Sequence, residues 1–325
     1  IIPSQNRTPF IVDYPAKFKR ISEQTNFRLL DDETRLFLEA EAGRHRFTMQ
    51  ELRIISDMAL DRSRWKEPPI QQHWPATSDK APLMAALRES HRHLLEKAKS
   101  YSDFGIGDKP KTDKPVLQVE AKPRLGLGRC PVASERTRCC NLMTLDAVEK
   151  CGFDCSYCSI QSFYHGNAVT FDTSFAQKLD GLELDPARTY HIGTGQSSDS
   201  LMWGNHQGVL DSLARFAARQ PNVLLELKTK SRNIAWLLEN DYPPNMICTW
   251  SLNPQTIIDH EEHLSASLAQ RLDAAQRIAD KGRLVGFHFH PIVHYDQWRE
   301  AYLAICSEIE RRFDPASVAM VSLGT

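Results

Sequence analysis

The sequence predicts an α/β protein, and three observations carry the prediction. From Leu142 onward, six short apolar runs alternate with segments of helical period, the pattern of parallel strands joined by right-handed helical crossovers. Upstream lie three amphipathic stretches that make a small helical region. Between the two, residues 101–128 are rich in Lys, Pro, Asp and Gly and read as a linker. The expected division is an N-terminal arm and helical region over 1–100, the linker over 101–128, and a β/α domain over 129–325.

In chain order, residues 1–30 mix proline with charge without a clear period and are expected to run as an extended arm. Asp31-Asp32-Glu33 opens a helix in which Leu36, Phe37 and Ala40 share a face. Thr48 to Glu51 is a capping box leading into Leu52, Ile55, Met58 and Ala59, and Pro68-Pro69 closes that helix. A third helix, Ala81 to Lys99, sets Leu83, Ala86, Leu87, Leu94 and Leu95 on one stripe. Arg35, Arg44, Arg46, Arg53, Arg62 and Arg64 offer contacts to phosphates, against the plainer reading of a solvated helix face. The strand runs are Leu142–Val148, Tyr190–Thr194, Val223–Thr229, Ile247–Leu252, Leu284–His290 and Val318–Leu323. Helical segments Phe175–Leu182, Val209–Arg219, Ile234–Glu239, Leu268–Lys281 and Gln297–Arg312 fall between them. Chemistry in such sheets gathers at the carboxyl ends of the strands.

Composition narrows the class. The 325 residues suffice for one large domain and a smaller appendage, and 40 basic against 41 acidic residues give no whole-chain sign of a nucleic-acid binder. No apolar run is long enough to cross a membrane and nothing at the start reads as a secretory signal. Of the 8 cysteines, six lie between positions 130 and 158, where their chemistry needs reduced thiols, so a cytoplasmic setting is expected. The chain starts at Ile1 without methionine and stops just after a strand-like run, which reads as ends that are either cut or disordered.

The chain is organised around Cys151-Gly-Phe-Asp-Cys155-Ser-Tyr-Cys158, a C-x3-C-x2-C spacing directly after the first strand run. Three thiolates on one short loop suit three irons of a [4Fe–4S] cluster and leave the fourth iron open. A zinc site, which wants four ligands, and inert buried thiols are the competing readings. The motif resembles the signature of radical SAM enzymes, in which S-adenosylmethionine (SAM) occupies the open iron and is reductively cleaved to a 5′-deoxyadenosyl radical. Gly152 permits the turn, and Tyr157 ahead of the last cysteine is also typical of that superfamily. The resemblance implies a six-stranded, open partial (β/α)6 barrel with the cluster loop after its first strand.

Further polar groups cluster at strand ends. Gly193-Thr194-Gly195 is a turn whose backbone can approach a ligand closely, or simply a tight turn. Alternation puts Lys228 and Lys230 on one face, and Ser251-Leu-Asn253 ends the next run. Together with Ser198-Asp199, Thr229-Lys230, Gly286-Phe-x-x-x-Pro291-Ile292 and Trp298, these motifs look like the spore photoproduct lyase family over roughly residues 125–325. The resemblance implies a radical SAM enzyme that reverses a thymine dimer in DNA, with an electron donor such as flavodoxin or ferredoxin. It places Gly193, Thr194 and Gly195 on the SAM amine and Ser198, Lys230 and Ser251 at its amino-acid end, with Tyr157 and Asn253 completing the cofactor set.

Two positions depart from the family. Its hydrogen-returning cysteine aligns with Gln196, and the tyrosine after the third cluster cysteine is Ser159. Neither an amide nor a serine hydroxyl releases a hydrogen atom as a thiol or phenol does. The catalytic candidates are therefore Tyr157, Gln196 and Cys140. Cys130, Cys139 and Cys140 could ligate an auxiliary cluster, supply a substitute hydrogen donor, or simply be buried. His288, His290 and His294 lie along the fifth run as proton donors, metal ligands or a polar lining, and Cys248 and Cys306 are expected in the core. Against this enzyme stand a radical SAM enzyme for a small molecule and a non-catalytic iron–sulfur or zinc binding protein.

Overall fold

The computed structural model describes residues 13–102, 115–130, 142–164 and 166–324. The chain divides into two compact units, Ile1–Ala98 and Lys99–Thr325.

The first unit is helical: α1 (Tyr14–Glu23), α2 (Asp32–His45), α3 (Met49–Arg64) and α4 (Lys80–Glu96). Helix α1 corrects the expectation of an extended arm. Pro15 in its first turn suits a helix start, and Tyr14, Phe18 and Ile21 recur at helical spacing and are buried. The capping box forms as expected at Thr48 and Glu51, and Leu52, Ile55, Met58 and Ala59 are buried. On α2 only Phe37 of the expected face packs against the core; Leu36 is 69 % exposed and Ala40 faces out, while Thr34, Leu38, Glu41 and Ala42 turn inward. Two apolar stripes competed there, and Leu38 with Ala42 won the packing. Leu95 on α4 likewise faces out while Leu83, Met84, Leu87 and Leu94 are buried. Arg62 is not a phosphate contact, because its side chain is buried and donates to Pro68 O at 3.2 Å and Ser90 Oγ at 2.9 Å.

The second unit begins with β1 (Val116–Glu120) and β2 (Gly126–Arg129), strands inside the stretch read as a linker. Every residue of β1 is exposed, so no buried face gave the sequence an alternation to show. Then follow β3 (Met143–Asp146), β4 (Val148–Glu149), β5 (Ala168–Asp172), α5 (Phe175–Asp180), β6 (Tyr190–Thr194), α6 (Val209–Arg219), β7 (Val223–Thr229), α7 (Ala235–Glu239), β8 (Met246–Ser251), α8 (Gln255–Glu261), α9 (Leu268–Asp280), β9 (Val285–Phe289), α10 (Trp298–Arg312) and β10 (Val318–Leu323). The first strand run is broken in two, and its second piece, β4, joins a separate small sheet ordered β1-β5-β4.

The main sheet runs β10-β9-β8-β7-β6-β3-β2, with β2 antiparallel to β3 and all other pairs parallel. Register fixes its two faces. Gly193 pairs Glu226, Lys228 pairs Thr249 and Ser251 pairs His288, so these polar residues share one face. The alternate residues Ile192, Leu225, Leu227, Cys248, Trp250, Phe287 and Phe289 form the core with Leu213, Phe216, Leu272, Ile278 and Ile305 of the helices. Cys248 lies in that core as expected, but Cys306 is exposed, on the outward side of α10. A helix of 15 residues must show one face to solvent, and an apolar neighbourhood in sequence does not say which.

Candidate active site

The loop 150–158 leaves β4 through Lys150 at φ 72° and carries all three motif cysteines, none in a disulfide. Gly152 is closely packed: a Cβ there would meet Met202 Cε at 2.5 Å and Trp203 Cζ2 at 2.9 Å, so these side chains would have to shift to admit one. Met202 in turn touches the loop through its sulfur, 3.4 Å from the Gly152 amide and 4.0 Å from Cys151 Sγ. Beside the loop lies a cavity of about 370 Å³ lined by Lys150, Cys151, Gly152, Phe153, Asp154 and Leu264 among others.

Backbone bonds tie the loop to the segment after α8. Cys155 forms a β-bridge with Glu262, the Ser156 amide donates to Glu261 O at 2.9 Å, and the His263 amide donates to Asp154 O at 3.3 Å. Glu262 is the hub of a buried network. It accepts from the Tyr157 hydroxyl, from Asn253 Nδ2 at 2.8 Å and from the fully buried Arg271 guanidinium. Arg271 also donates to Ser251 O and Ala266 O, both at 2.8 Å, and the Tyr302 hydroxyl donates to Asn253 Oδ1 at 2.6 Å. Burial opposes ionisation of Glu262, but Arg271 and Lys230 outweigh it and bring its pKa down to about 2. Burial also pushes the Tyr157 phenol well above its ordinary range, so it is an O–H donor at neutral pH.

Asp199 fixes the opposite rim. Its oxygens accept from the amides of Leu201 at 3.0 Å and Met202 at 2.9 Å, from Thr229 Oγ1 at 2.7 Å, and from the Lys230 amide at 2.7 Å. One buried carboxylate thus joins the loop after β6 to the end of β7 and sets Lys230, whose Nζ lies 5.8 Å from the centre of the Tyr157 ring. Gly195, at φ 85°, leaves no room for a side chain, since a Cβ would stand 2.7 Å from Ser200 Oγ and 2.9 Å from Lys228 O.

The expected site residues therefore fall into two groups. Cys155, Tyr157, Lys230, Ser251 and Asn253 are joined through Glu262 and Arg271. Gly193, Thr194, Gly195, Gln196 and Ser198 lie on the β6 rim; Thr194 turns its hydroxyl to Ser200 at 2.7 Å, and Ser198 Oγ accepts from Trp203 Nε1 at 3.2 Å. The Asn253 amide is engaged at both ends, so its reach toward a ligand is through its second Nδ2 N–H and the remaining lone pair of Oδ1. Ser159 is exposed and Cys130 half-buried, while Cys139 and Cys140 lie outside the described residues. The hub residues Glu262 and Arg271 were not singled out from sequence; they sit in ordinary charged helical contexts with no motif to mark them.

The donor set suits an iron–sulfur group. Burial raises the Cys151 thiol and brings Cys155 up to about 12, a cost that a bound cation relieves by holding thiolates. Among the described residues no three His, Cys, Asp or Glu side chains converge on a point where one ion could sit.

A family profile described as spore photoproduct lyase matches residues 147–323. Among curated proteins, spore photoproduct lyase of Geobacillus sp. (strain Y412MC61) is 24 % identical over 169 residues, 50 % of each chain. That of Clostridium acetobutylicum is 24 % identical over 166 residues, 49 % of this chain and 48 % of the other. The chain thus spans about half the length of the curated relatives it matches. A solved variant of spore photoproduct lyase with bound AdoMet and dinucleoside spore photoproduct aligns with TM-score 0.51 at 20 % identity, covering 74 % of this chain and 73 % of that one. A second variant gives TM-score 0.52 at 18 % identity over 71 % and 73 %. At such identities the structures show a shared fold.

Proposed function

Because this chain belongs to the spore photoproduct lyase family of radical SAM enzymes, which use a [4Fe–4S] cluster and SAM, we propose that it cleaves SAM reductively and acts on a thymine photoproduct in DNA. The observation that carries the reading is the placement of Cys151, Cys155 and Cys158 on one loop, tied through Glu262 to the strand ends that bear Lys230, Ser251 and Asn253. In this reading the three cysteines hold the cluster, which when bound supplies an electron and an open iron for SAM. Lys230, set by Asp199, binds the SAM carboxylate as a fixed cation. Ser198 and the Gly193–Gly195 turn receive the amine end, and Tyr157, kept protonated by burial and by its carboxylate partner Glu262, offers a fixed O–H group directly before Cys158. The parallel strands of the main sheet are read as the open partial barrel that the family resemblance implies, and a flavodoxin- or ferredoxin-like protein supplies the electron.

The hydrogen-return step differs from that implied for the family, since Gln196 and Ser159 stand where a thiol and a phenol are expected. Near-neutral net charge, formally −1, favours keeping a small-molecule radical enzyme as the second reading. Binding to thymine-rich DNA that weakens steeply between low and moderate salt supports the first, and salt-independent or absent binding the second. The primary test is anaerobic reconstitution with iron, sulfide, dithionite and SAM, scored for 5′-deoxyadenosine. Formation by the wild-type chain and loss in the triple Cys151→Ala, Cys155→Ala, Cys158→Ala variant support the reading; no cleavage by a cluster-loaded chain sinks it.

A further inference from the structure

The polar face of the main sheet carries a second cluster that the cofactor set does not use. Glu226, at the middle of β7, is 1 % exposed and both its oxygens are occupied. His191 Nε2 donates to Oε2 at 2.7 Å, while His288 Nε2 at 2.5 Å and Thr249 Oγ1 at 2.6 Å donate to Oε1. Burial works against the charge on Glu226, and these donors more than offset it, so the carboxyl stays well below its ordinary range. An ionised carboxylate only accepts, so each imidazole must turn an N–H toward it. For a neutral ring the other nitrogen is then an acceptor.

On His288 that other nitrogen, Nδ1, is buried and has no hydrogen-bond partner, and the residue is 3 % exposed. Burial, opposed by the contact with Glu226, draws the ring's pKa down, which keeps it neutral. A buried acceptor without a donor costs as much as a lost hydrogen bond unless something entering the site supplies one. His288 stands in register with Ser251 and shares a sheet face with Lys228, so it fronts the same side of the sheet as Ser251 of the proposed cofactor set.

We propose that His288 Nδ1 accepts a hydrogen bond from an N–H or O–H group of the bound molecule, with Glu226 and His191 as positioning residues that fix its tautomer. The ligand group is a neutral donor and not an anion, whose lone pairs Nδ1 would repel. Two molecules of the functional reading on which this inference rests carry such a group: the adenosyl part of SAM, through its amine and ribose hydroxyls, and a pyrimidine, through its imide N–H.

Two substitutions separate the two faces of the ring. His288→Gln reaches the Nε2 position, keeping the link to Glu226 with no acceptor at Nδ1; His288→Asn places an amide oxygen near Nδ1 and gives up the link. Binding of SAM, and separately of a dinucleoside thymine photoproduct, is measured by calorimetry on the cluster-loaded full chain under anaerobic conditions. We expect His288→Gln to weaken one probe about tenfold, equivalent to about 1.4 kcal/mol, and His288→Asn to hold it within about threefold. Loss of SAM affinity assigns the adenosyl group as donor, and loss of photoproduct affinity assigns the imide. Wild-type affinity of His288→Gln for both probes overturns the proposal. A measurement on the unaltered protein guards against misfolding of the variants: the imidazole ¹⁵N resonance of His288 Nδ1 moves on saturation with the recognised probe, and no movement with either overturns the proposal. Wild-type 5′-deoxyadenosine formation is scored alongside, so its absence fails the functional reading, while its presence with unchanged binding in His288→Gln fails this inference alone.

Discussion

Glu262→Ala tests the tie between the cysteine loop and the strand ends. In the native chain the Glu262 carboxylate is the buried counter-charge of Arg271, whose remaining partners are neutral oxygens such as Ala266 O and Ser251 O, each at 2.8 Å. Removing it strands a guanidinium with 0 % side-chain exposure and leaves the Tyr157 hydroxyl and one end of Asn253 without their acceptor. Breaking a buried pair from one side costs about 3–5 kcal/mol, against about 1 kcal/mol or less for an exposed pair. For a unit of this size each kcal/mol lowers Tm by roughly 2–4 °C, so the expected fall is about 6–20 °C by calorimetry of the full chain. The double variant Glu262→Leu, Arg271→Met removes both charges and is expected to recover most of that loss, because an apolar pair needs no counter-ion. It is not expected to recover iron content, since Tyr157 and Asn253 still lack their partner. The reasoning is refuted if Glu262→Ala melts within about 1 °C of wild type, or if the double variant is no more stable than the single one.

Gly152→Ala is expected to lose about 1–3 kcal/mol and much of the bound iron, because its methyl would meet Met202 Cε at 2.5 Å; chemical denaturation and iron assay check both. Stability is expected to fall with acid in two stages followed by thermal melts. His288 and His290 have depressed folded values, His290 about 4, so their contribution is full above the unfolded imidazole value of about 6.5 and is lost as pH drops toward 4. Glu226 is depressed too, so its contribution is full above about 4.3 and drains below that; flat melting temperatures from pH 7 to 5 would contradict the first stage. Gln196→Cys restores a thiol at the β6 rim and is expected to raise the fraction of repaired thymine in a photoproduct assay, with deuterium from solvent appearing in the product. An unchanged product distribution would show that hydrogen returns from elsewhere.

Local patterns alone carried a large share of this protein. The helices Val209–Arg219 and Leu268–Asp280 were legible because each buries one side, which writes a period into the sequence, and the five later strands were legible as short apolar runs, β8 and β9 being buried on both faces. The cysteine loop was legible because its chemistry needs three thiols within eight residues. Elements whose sides are treated alike left no such record: β1 is exposed throughout, and α2 offered two apolar stripes between which only packing could choose. The carboxylates at the centre of the site were hidden for a different reason. Glu226, Glu262 and Arg271 look like ordinary surface charges in the chain, and what makes them buried, ionised and directional is the partner each meets 9 to 62 positions away. Residue type and spacing decide which groups a loop can offer; long-range pairing in a water-poor interior decides which of them keep a charge and where they point.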